Sequence, residues 1–462
     1  MFVRQLEAPR EVAASIPGCS NAIVSLVTLL FYVFLLGGWS AGAAGVEPVV
    51  SVPPPLSSDL ERLTLPQAEI FFAARNRELR AGQSVVEGAR ADRLAAAARP
   101  NPSLSFNESP LNPHEGVGSG NLRDKRIGSI VGLQQLFERG GKRELRMEAA
   151  DFNIAATRAD YAEIQRQQKV VLYASFYELV AAQERLRIAG ETAALFGKTI
   201  DAVERRLKAG DIARSDVARI RVDALRAEND ARIAQSDLQK AQAALAYVIG
   251  AERDAGRIRA ADSWPELAAA ADAVEIDRAL SGRADVQAAS ARIAAADKNR
   301  ELARALRTRD ITGSASFQHF PGDFSNNTFG IAVSVPLFTN YYFEGEIRRA
   351  EVELQASQDN FERVRALALG EITRSRAELD SARDRLQRFR DVLLAEAQKA
   401  AEGAEFAYSR GAIGVMDLLD ARRQLYATRL EASGAQADYA KSFAVWQAAI
   451  APAQIEAERE GR

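Results

Sequence analysis

Two periods of hydrophobic residues occur along the chain, and each predicts a different element. In "TFGIAVSV" (328–335) apolar side chains alternate with small or polar ones, which is the period-two pattern of a β-strand with two different faces. The same alternation occurs in "SLSFN" (103–107) and "GSASFQHF" (313–320). It predicts four short strands, at about 102–107, 127–135, 313–320 and 328–336.

The second period belongs to very long helices. Apolar residues recur at spacings of three and four, as in Val170, Tyr173 and Phe176. No proline interrupts the segment from about Gly141 to Ala209, or the segment from about residue 342 to 410. A helix of about 68 residues is about 100 Å long. Such a helix exceeds any single core, so we expect neighbouring helices along its whole length.

The two long segments are part of a tandem duplication. Gly210 and Gly411 are 201 positions apart, and so are Asp216 and Asp417. "SLSFN" and "SASFQ" correspond in the same order. Each half therefore predicts a helix, two strands and a long helical hairpin. The predicted boundaries are 1–44 for a signal peptide, 45–255 for the first repeat with its hairpin at 140–250, 256–451 for the second repeat with its hairpin at 341–450, and 452–462 for a C-terminal tail.

The N-terminus carries an apolar run of about 16 residues between Ala22 and Gly37, followed by the small residues "GWSAGAAG". This pattern is typical of a signal peptide cleaved after Ala43 or Ala44. A retained anchor helix is the alternative, but the run is shorter than the about 20 residues that cross a membrane. Cys19 precedes the apolar run instead of following it, which argues against lipid attachment. We expect an exported mature chain without cysteine.

The alternating strands fit a membrane barrel, with lipid outside and water inside, or a soluble sheet packed on a helix. The export signal favours the barrel. A sheet in lipid must close on itself, because an open edge leaves backbone groups without partners. One chain supplies four strands and about eight is the minimum, so closure needs several chains. We therefore expect a mostly α-helical fold with a small membrane β-barrel to which several chains contribute, and three chains would give twelve strands.

Composition and charge exclude several classes of function. The 60 basic and 62 acidic residues nearly cancel, which argues against nucleic-acid binding. Two histidines and one cysteine cannot form a Cys/His metal cage, and "GGKRE" (140–144) lacks the spacing of a phosphate-binding loop. His114 and His319 fall in or beside the strand-tip loops, where solvent exposure is a simpler explanation than a metal site. We expect no enzyme activity, no cofactor and no metal site.

Four matched motifs occur at equivalent places in the two halves of the chain. Two break the long helices, "AGDIARSDV" (209–217) and "RGAIGVMDLLDA" (410–421). Two join strand to helix, "QLFERGGKRELRMEAA" (135–150) and "SVPLFTNYYFEGEIRRAE" (334–351). These motifs resemble those of the TolC family of outer membrane efflux proteins. The resemblance implies a homotrimer in outer membrane lipid, with a trimeric twelve-stranded barrel that continues into a long α-helical barrel as its periplasmic extension. It also implies a periplasmic adaptor protein and an inner-membrane pump of the RND type, which supplies the energy.

The resemblance also implies roles for residues of the helix breaks. Gly210, Gly411 and Gly414 would form the periplasmic turns at the inner end of the tube. Asp417 and Asp420 would project inward as rings of carboxylates that narrow the pore and favour cations. Capping of the following helix is an alternative or additional role for Asp417.

Closure of the inner end is expected from a different set of residues. The resemblance implies a contact between Tyr408 and Asp216 that holds the tip shut. The family has an arginine where this chain has Ile413, so half of that closure is expected to differ, with Arg214 and Arg410 as nearby substitutes.

The cargo is suggested by subfamily similarity alone. Residues 133–161 and 176–191 resemble the CzcC-type heavy-metal efflux channel subunits. This similarity implies export of divalent heavy-metal cations, with the pump choosing the substrate. Multidrug efflux and type I protein secretion use the same fold and stay open as alternatives, and a structural coiled-coil envelope protein is the alternative of another class.

Overall fold

A computed structural model describes residues 58–109, 128–210, 212–262, 264–267, 276–320 and 326–453. The predicted signal peptide with Cys19, the loop that contains His114 and the tail beyond Ala453 lie outside these residues. Among the helices that are described, none combines the length and the apolar character needed to cross a membrane.

Helices dominate the described residues, and four strands form one sheet. The helices are α1 (Leu65–Arg75), α2 (Arg77–Ala97), α3 (Lys142–Ala209), α4 (Arg214–Ile249), α5 (Ile276–Gly282), α6 (Ala284–Ala305), α7 (Glu344–Arg388), α8 (Leu394–Ser409) and α9 (Val415–Ile450). The strands are β1 (Ser103–Ser109), β2 (Gly128–Phe137), β3 (Ile311–Phe320) and β4 (Asn326–Ser334).

The sheet is antiparallel, with the strands in chain order and with β1 and β4 at its two edges. Its register aligns apolar residues in rows across all four strands. One row is Leu104, Leu133, Ala315 and Ile331, and the next row on the same face is Phe106, Val131, Phe317 and Phe329. Most of these side chains are exposed, up to 84% for Ile331. The described chain thus leaves an apolar band on one face of the sheet uncovered.

The opposite face of the sheet carries small and polar residues. Ser105 lies across from Gly132, and Ser316 lies across from Gly330. A Cβ added to either glycine would come within 2.9 Å of the facing serine Oγ, so only glycine fits without a shift. The alternation along each strand therefore separates an apolar face from a face of small side chains.

The long helices lie side by side. Near the hairpin turns α3 packs between α4 and α9, and α9 packs between α3 and the α7–α8 run. Towards the sheet α2 packs on α3, while α6 packs on both α3 and α7. Buried alanines such as Ala149, Ala156 and Ala159 line these contacts and let the helix axes approach closely.

The second long helix differs from the first in one place. α3 is a regular helix throughout, whereas α7 passes into α8 through a π-helical turn at Phe389–Leu393. Phe389 is buried there, while Val392 and Leu393 are exposed. The sequence predicted an uninterrupted helix. It missed the turn because a π turn widens the helix locally without needing glycine or proline.

Two equivalent junctions join the start of a shorter helix to the end of a hairpin helix. One joins α2 to α4 and the other joins α6 to α9, and each is held by one buried polar side chain. In the first half Asn76 caps α2 by accepting from the Leu79 N–H, and its amide donates to the Val248 carbonyl in the last turn of α4, both at 3.1 Å. In the second half Arg283 precedes α6 and donates to the Ala449 carbonyl in the last turn of α9, also at 3.1 Å. Both side chains satisfy carbonyls that a helix end leaves without partners.

Arg283 is also the centre of a buried ionic group, here called the Arg283 cluster. Its members are Glu163, Arg166, Arg283, Asp285 and Glu371. Burial works to raise the pKa values of the Asp285 and Glu371 carboxyls, but the neighbouring arginines outweigh it and both pKa values lie below their usual range. The cluster ties α3, α6 and α7 together at the level of the second junction.

Candidate functional site

The first hairpin reverses direction at Gly210. Its φ is 84°, a left-handed conformation that favours glycine, and its N–H donates to the Leu207 carbonyl at 3.1 Å. α4 then begins at Arg214 after Ala213, whose side chain cannot cap it, and Asp216 lies in the first turn. A negative charge at this position is favoured by the helix dipole.

The second hairpin reverses in a similar way at Gly411, which has a φ of 72°. The N–H of the next residue, Ala412, donates to the Ala407 carbonyl at 2.9 Å and closes the end of α8. Gly414 differs from the two turn glycines. Its φ is −76°, which any residue adopts, and an added Cβ would make only an ordinary 3.6 Å contact with Asp417. The backbone conformation therefore requires glycine at Gly210 and Gly411 but not at Gly414.

A small apolar core stabilises the two turns against each other. Phe196 and Val203 from α3, Val217 and Ile220 from α4, and Leu419 from α9 are all buried in it. The first hairpin thus contributes both of its helices and the second contributes α9. These contacts place the turns of both hairpins at one end of the molecule.

The two aspartates predicted to line the pore both lie on the first two turns of α9, and both are exposed. The Asp417 carboxylate accepts from the Gly414 N–H at 3.1 Å. Asp417 is therefore the third residue of the helix and its side chain reaches back to the helix start, while Gly414 and not Asp417 holds the N-cap position. Asp420 accepts from Arg423 at 2.6 Å. Their inward projection stays a prediction, because it depends on how chains assemble.

Tyr408 lies in the last turn of α8, and its partner is Arg206, for which the sequence predicted no role. Its hydroxyl accepts from Arg206 Nη1 at 2.7 Å, and the guanidinium lies 5.9 Å from the centre of its ring. Among the described residues there is no hydrogen bond between Tyr408 and Asp216. Both contacting residues precede a turn glycine, by four positions and by three. A position close to a turn glycine is the one feature that the two residues share in the sequence, and it does not identify them as partners.

Two consecutive arginines on α9 make further links between the hairpins. Arg422 donates to Glu405 of α8 at 2.9 Å and to Thr199 of α3 at 3.2 Å. Arg423 donates to Asp223 of α4 and to Asp420, both at 2.6 Å. Arg214 and Arg410 were expected to replace the family's arginine in closing the inner end, but the Arg410 guanidinium lies over Phe406 of the preceding helix α8, at 5.3 Å from the ring centre. The inter-hairpin role falls instead to Arg206, Arg422 and Arg423.

The described residues contain no group of three or more His, Cys, Asp or Glu side chains placed to hold a metal ion. His319, at the end of β3, has its ring nitrogen Nδ1 2.7 Å from the Asn327 side-chain oxygen.

The duplicated strands and hairpins have a counterpart among known families. The family of outer membrane efflux proteins matches residues 72–251 and 276–450, which together make up most of the chain. This chain belongs to that family. It is therefore an outer membrane protein with the fold of transport channels, and that fold is not one of enzymes.

Individual proteins show the same likeness across most of their length. The cobalt-zinc-cadmium resistance protein CzcC of Cupriavidus metallidurans is 24% identical over 386 residues, which cover 80% of this chain and 86% of CzcC. The solved structure of CusC superposes with a TM-score of 0.71 at 21% identity, covering 84% of this chain and 92% of that one. The outer membrane protein VceC of Vibrio cholerae gives a TM-score of 0.68 at 20% identity, covering 84% and 96%.

Proposed function

We propose that the protein is the passive exit duct of a tripartite efflux system and that it carries divalent heavy-metal cations out of the cell. The observation that carries this proposal is the sheet with one uncovered apolar face, joined directly to long helices that reverse at two paired turns. An apolar outer face suits lipid, and the small side chains of the other face suit a water-filled bore. The alternation of apolar with small or polar residues at 102–107 and 313–320 predicts the same two different faces.

The proposed assembly is a homotrimer with a twelve-stranded barrel. β1 and β4 each have one hydrogen-bonded neighbour in the described chain, so each leaves an open edge. Pairing β4 of one chain with β1 of the next satisfies both edges, and three chains close the barrel. A closed barrel would leave no edge in lipid.

The helices support the same closure. α4 and the α7–α8 run are the outer members of the four-helix layer. Both expose large apolar side chains, namely Val222, Leu225 and Ile233 on α4, and Leu367, Val392, Leu393 and Phe406 on or between α7 and α8. Contact between α4 of one chain and α7–α8 of the next would bury these residues. Exposed apolar side chains along both edges are typical of an interface.

The proposed partners are a periplasmic adaptor protein and an inner-membrane RND-type pump. They follow from the family resemblance, in which the channel is passive and the pump supplies energy and chooses the cargo. The hairpin turns are the proposed docking end. The heavy-metal cargo is supported by the similarity to CzcC, whose name includes cobalt, zinc and cadmium.

Deletion of the gene, followed by complementation with the intact chain, tests the cargo. We expect sensitivity to zinc, cobalt, cadmium or nickel, reversed by complementation, with little change towards drugs. Sensitivity to drugs alone would overturn the metal cargo and favour multidrug efflux. Loss of a secreted protein without either sensitivity would favour type I secretion. If the chain were not found in outer-membrane trimers, the remaining alternative would be a structural coiled-coil envelope protein.

A further inference from the structure

The uncovered apolar band of the sheet ends on two arginines, at the end of the sheet that joins the helices. The last row of the band places Phe137 across from Ile311. The Phe137 ring lies beside Gly313 of the same band, where an added Cβ would be 3.3 Å from it. Arg139 and Arg309 lie two positions beyond Phe137 and Ile311, in the direction of the helices. Residues two apart in extended chain share a face, so the band ends in positive charge.

The acidic residues next to these two arginines have other partners. Both carboxylate oxygens of Asp310 accept from Lys142 Nζ at 2.8 Å. Those of Glu138 accept from Arg146, at 2.6 and 2.8 Å. Asp310 also accepts from the backbone N–H of Arg139 at 2.9 Å, a contact that does not involve the guanidinium. Within the described part of the chain, no carboxylate pairs with the guanidinium of either Arg139 or Arg309.

Both arginines are exposed, and Arg309 is positioned by an aromatic ring. Its guanidinium lies 5.6 Å from the centre of the Phe338 ring. Phe338 in turn packs edge-on against Phe343, with ring centres 5.1 Å apart. A guanidinium stacked on a ring keeps the N–H groups at its edge free to donate. This end of the sheet therefore presents hydrogen-bond donors beside an apolar surface.

Exposed aromatic side chains occur at the same end of the sheet. Phe137 is 57% exposed, and Tyr341 and Tyr342, between β4 and α7, are 48% and 47% exposed. Aromatic residues are enriched where a membrane protein passes from hydrocarbon to water. In the proposed assembly, this end of the sheet lies at the periplasmic boundary of the membrane.

We propose that Arg139 and Arg309 bind the headgroup phosphate of an anionic phospholipid in the leaflet that faces the periplasm, with its acyl chains on the apolar band. A guanidinium donates paired N–H···O bonds to phosphate oxygens. Free phosphate would match the arginines but leave the band uncovered, whereas a phospholipid matches both. The inference rests on the proposed function, because it needs the sheet to lie in a membrane.

The test titrates phosphatidylglycerol into the purified full-length protein in a non-ionic detergent and counts bound lipid by native mass spectrometry. Phosphatidylcholine, which carries no net charge, is the reference lipid. An arginine at an anionic membrane surface strengthens binding about fivefold. Arg139→Gln and Arg309→Gln are therefore each expected to raise the apparent Kd for phosphatidylglycerol about fivefold. The double variant should lose the preference over phosphatidylcholine.

Two further double variants serve as controls. Arg226→Gln with Arg374→Gln removes the same charge from side chains that are 76% and 73% exposed on α4 and α7, away from the sheet. Its Kd should stay at the wild-type value. Arg139→Lys with Arg309→Lys keeps both charges and should keep the preference for phosphatidylglycerol. That result would also show that the double glutamine variant lost charge and not its fold.

Two results would overturn the inference while leaving the proposed function intact. One is a double glutamine variant that binds phosphatidylglycerol as tightly as the charge-matched control. The other is complete displacement of phosphatidylglycerol by an equal concentration of inorganic phosphate, which would make the arginines a site for free phosphate. Failure of the proposed function looks different, because the wild-type protein would then not float with vesicles of phosphatidylcholine alone, which test only the apolar band.

Discussion

Replacing Arg283 by alanine should destabilise the protein more than most single changes. The side chain is 1% exposed and makes three contacts, with the Ala449 carbonyl at 3.1 Å, Asp285 at 2.8 Å and Glu371 at 2.7 Å. Removing one partner of a buried ion pair costs about 3–5 kcal/mol, because the remaining charge stays buried. The Ala449 carbonyl also loses its hydrogen-bond donor, and this range includes that loss.

Asn76 provides a comparison within the same chain, since it occupies the equivalent junction but carries no charge. Asn76→Ala removes two neutral hydrogen bonds and should cost about 1–3 kcal/mol. Arg374 is a surface control, because its contact with Glu378 is 3.8 Å long and its side chain is 73% exposed. Arg374→Ala should change stability by at most about 0.5 kcal/mol.

Urea unfolding of the detergent-solubilised protein, followed by circular dichroism, measures the three changes in the free energy of unfolding. The expected order of destabilisation is Arg283→Ala, then Asn76→Ala, then Arg374→Ala. If Arg283→Ala were no more destabilising than the surface control, the Arg283 cluster would not hold the junction and the argument from buried charge would be wrong.

Three further predictions concern pH, the turns and the pore. The pKa values of the Asp285 and Glu371 carboxyls lie below their values in the unfolded chain. The stability that these two carboxylates give the folded protein is therefore complete above about pH 5 and is lost as the pH falls through the folded pKa values. Arg283→Ala should therefore flatten the acid side of a pH–stability curve, and an unchanged curve contradicts this. Gly411→Ala should cost about 1 kcal/mol in thermal unfolding, from its φ of 72°, while Gly414→Ala should be neutral or slightly stabilising. Equal effects would refute the assignment of the turns. Asp417→Ala combined with Asp420→Ala should relieve the blockade of bilayer currents by polyvalent cations, and persistent blockade would remove both residues from the pore.

Much of the fold follows from local patterns in the sequence. Alternation in "TFGIAVSV" and "GSASFQHF" is a property of neighbouring residues, and both segments lie in strands of the structure. Apolar residues at spacings of three and four predict a helix between Gly141 and Ala209, and the absence of proline leaves its hydrogen-bond ladder unbroken. The turn glycines Gly210 and Gly411 follow from backbone sterics alone.

The contacts at the hairpin tips could not be predicted in the same way. Arg423 and Asp223 are 200 positions apart, and their contact depends on the relative rotation of helices in separate hairpins. No local pattern encodes that rotation. The same reason explains why Asp216 was expected beside Tyr408, where the structure places Arg206. A position on a helix follows from sequence spacing, whereas a partner on another helix follows from packing.

The link between Arg423 and Asp223 makes the two hairpins of one chain unequal. Duplication gives each chain two similar hairpins, so the proposed trimer would place six of them around one axis. With the offset of 201 that relates the two turns, Val222 is the counterpart of Arg423 and Gln424 is the counterpart of Asp223, so the duplicated positions cannot form a second ion pair of this kind. In the proposed trimer this ion pair would join the two hairpins of each chain, and the arrangement of hairpins would be threefold and not sixfold.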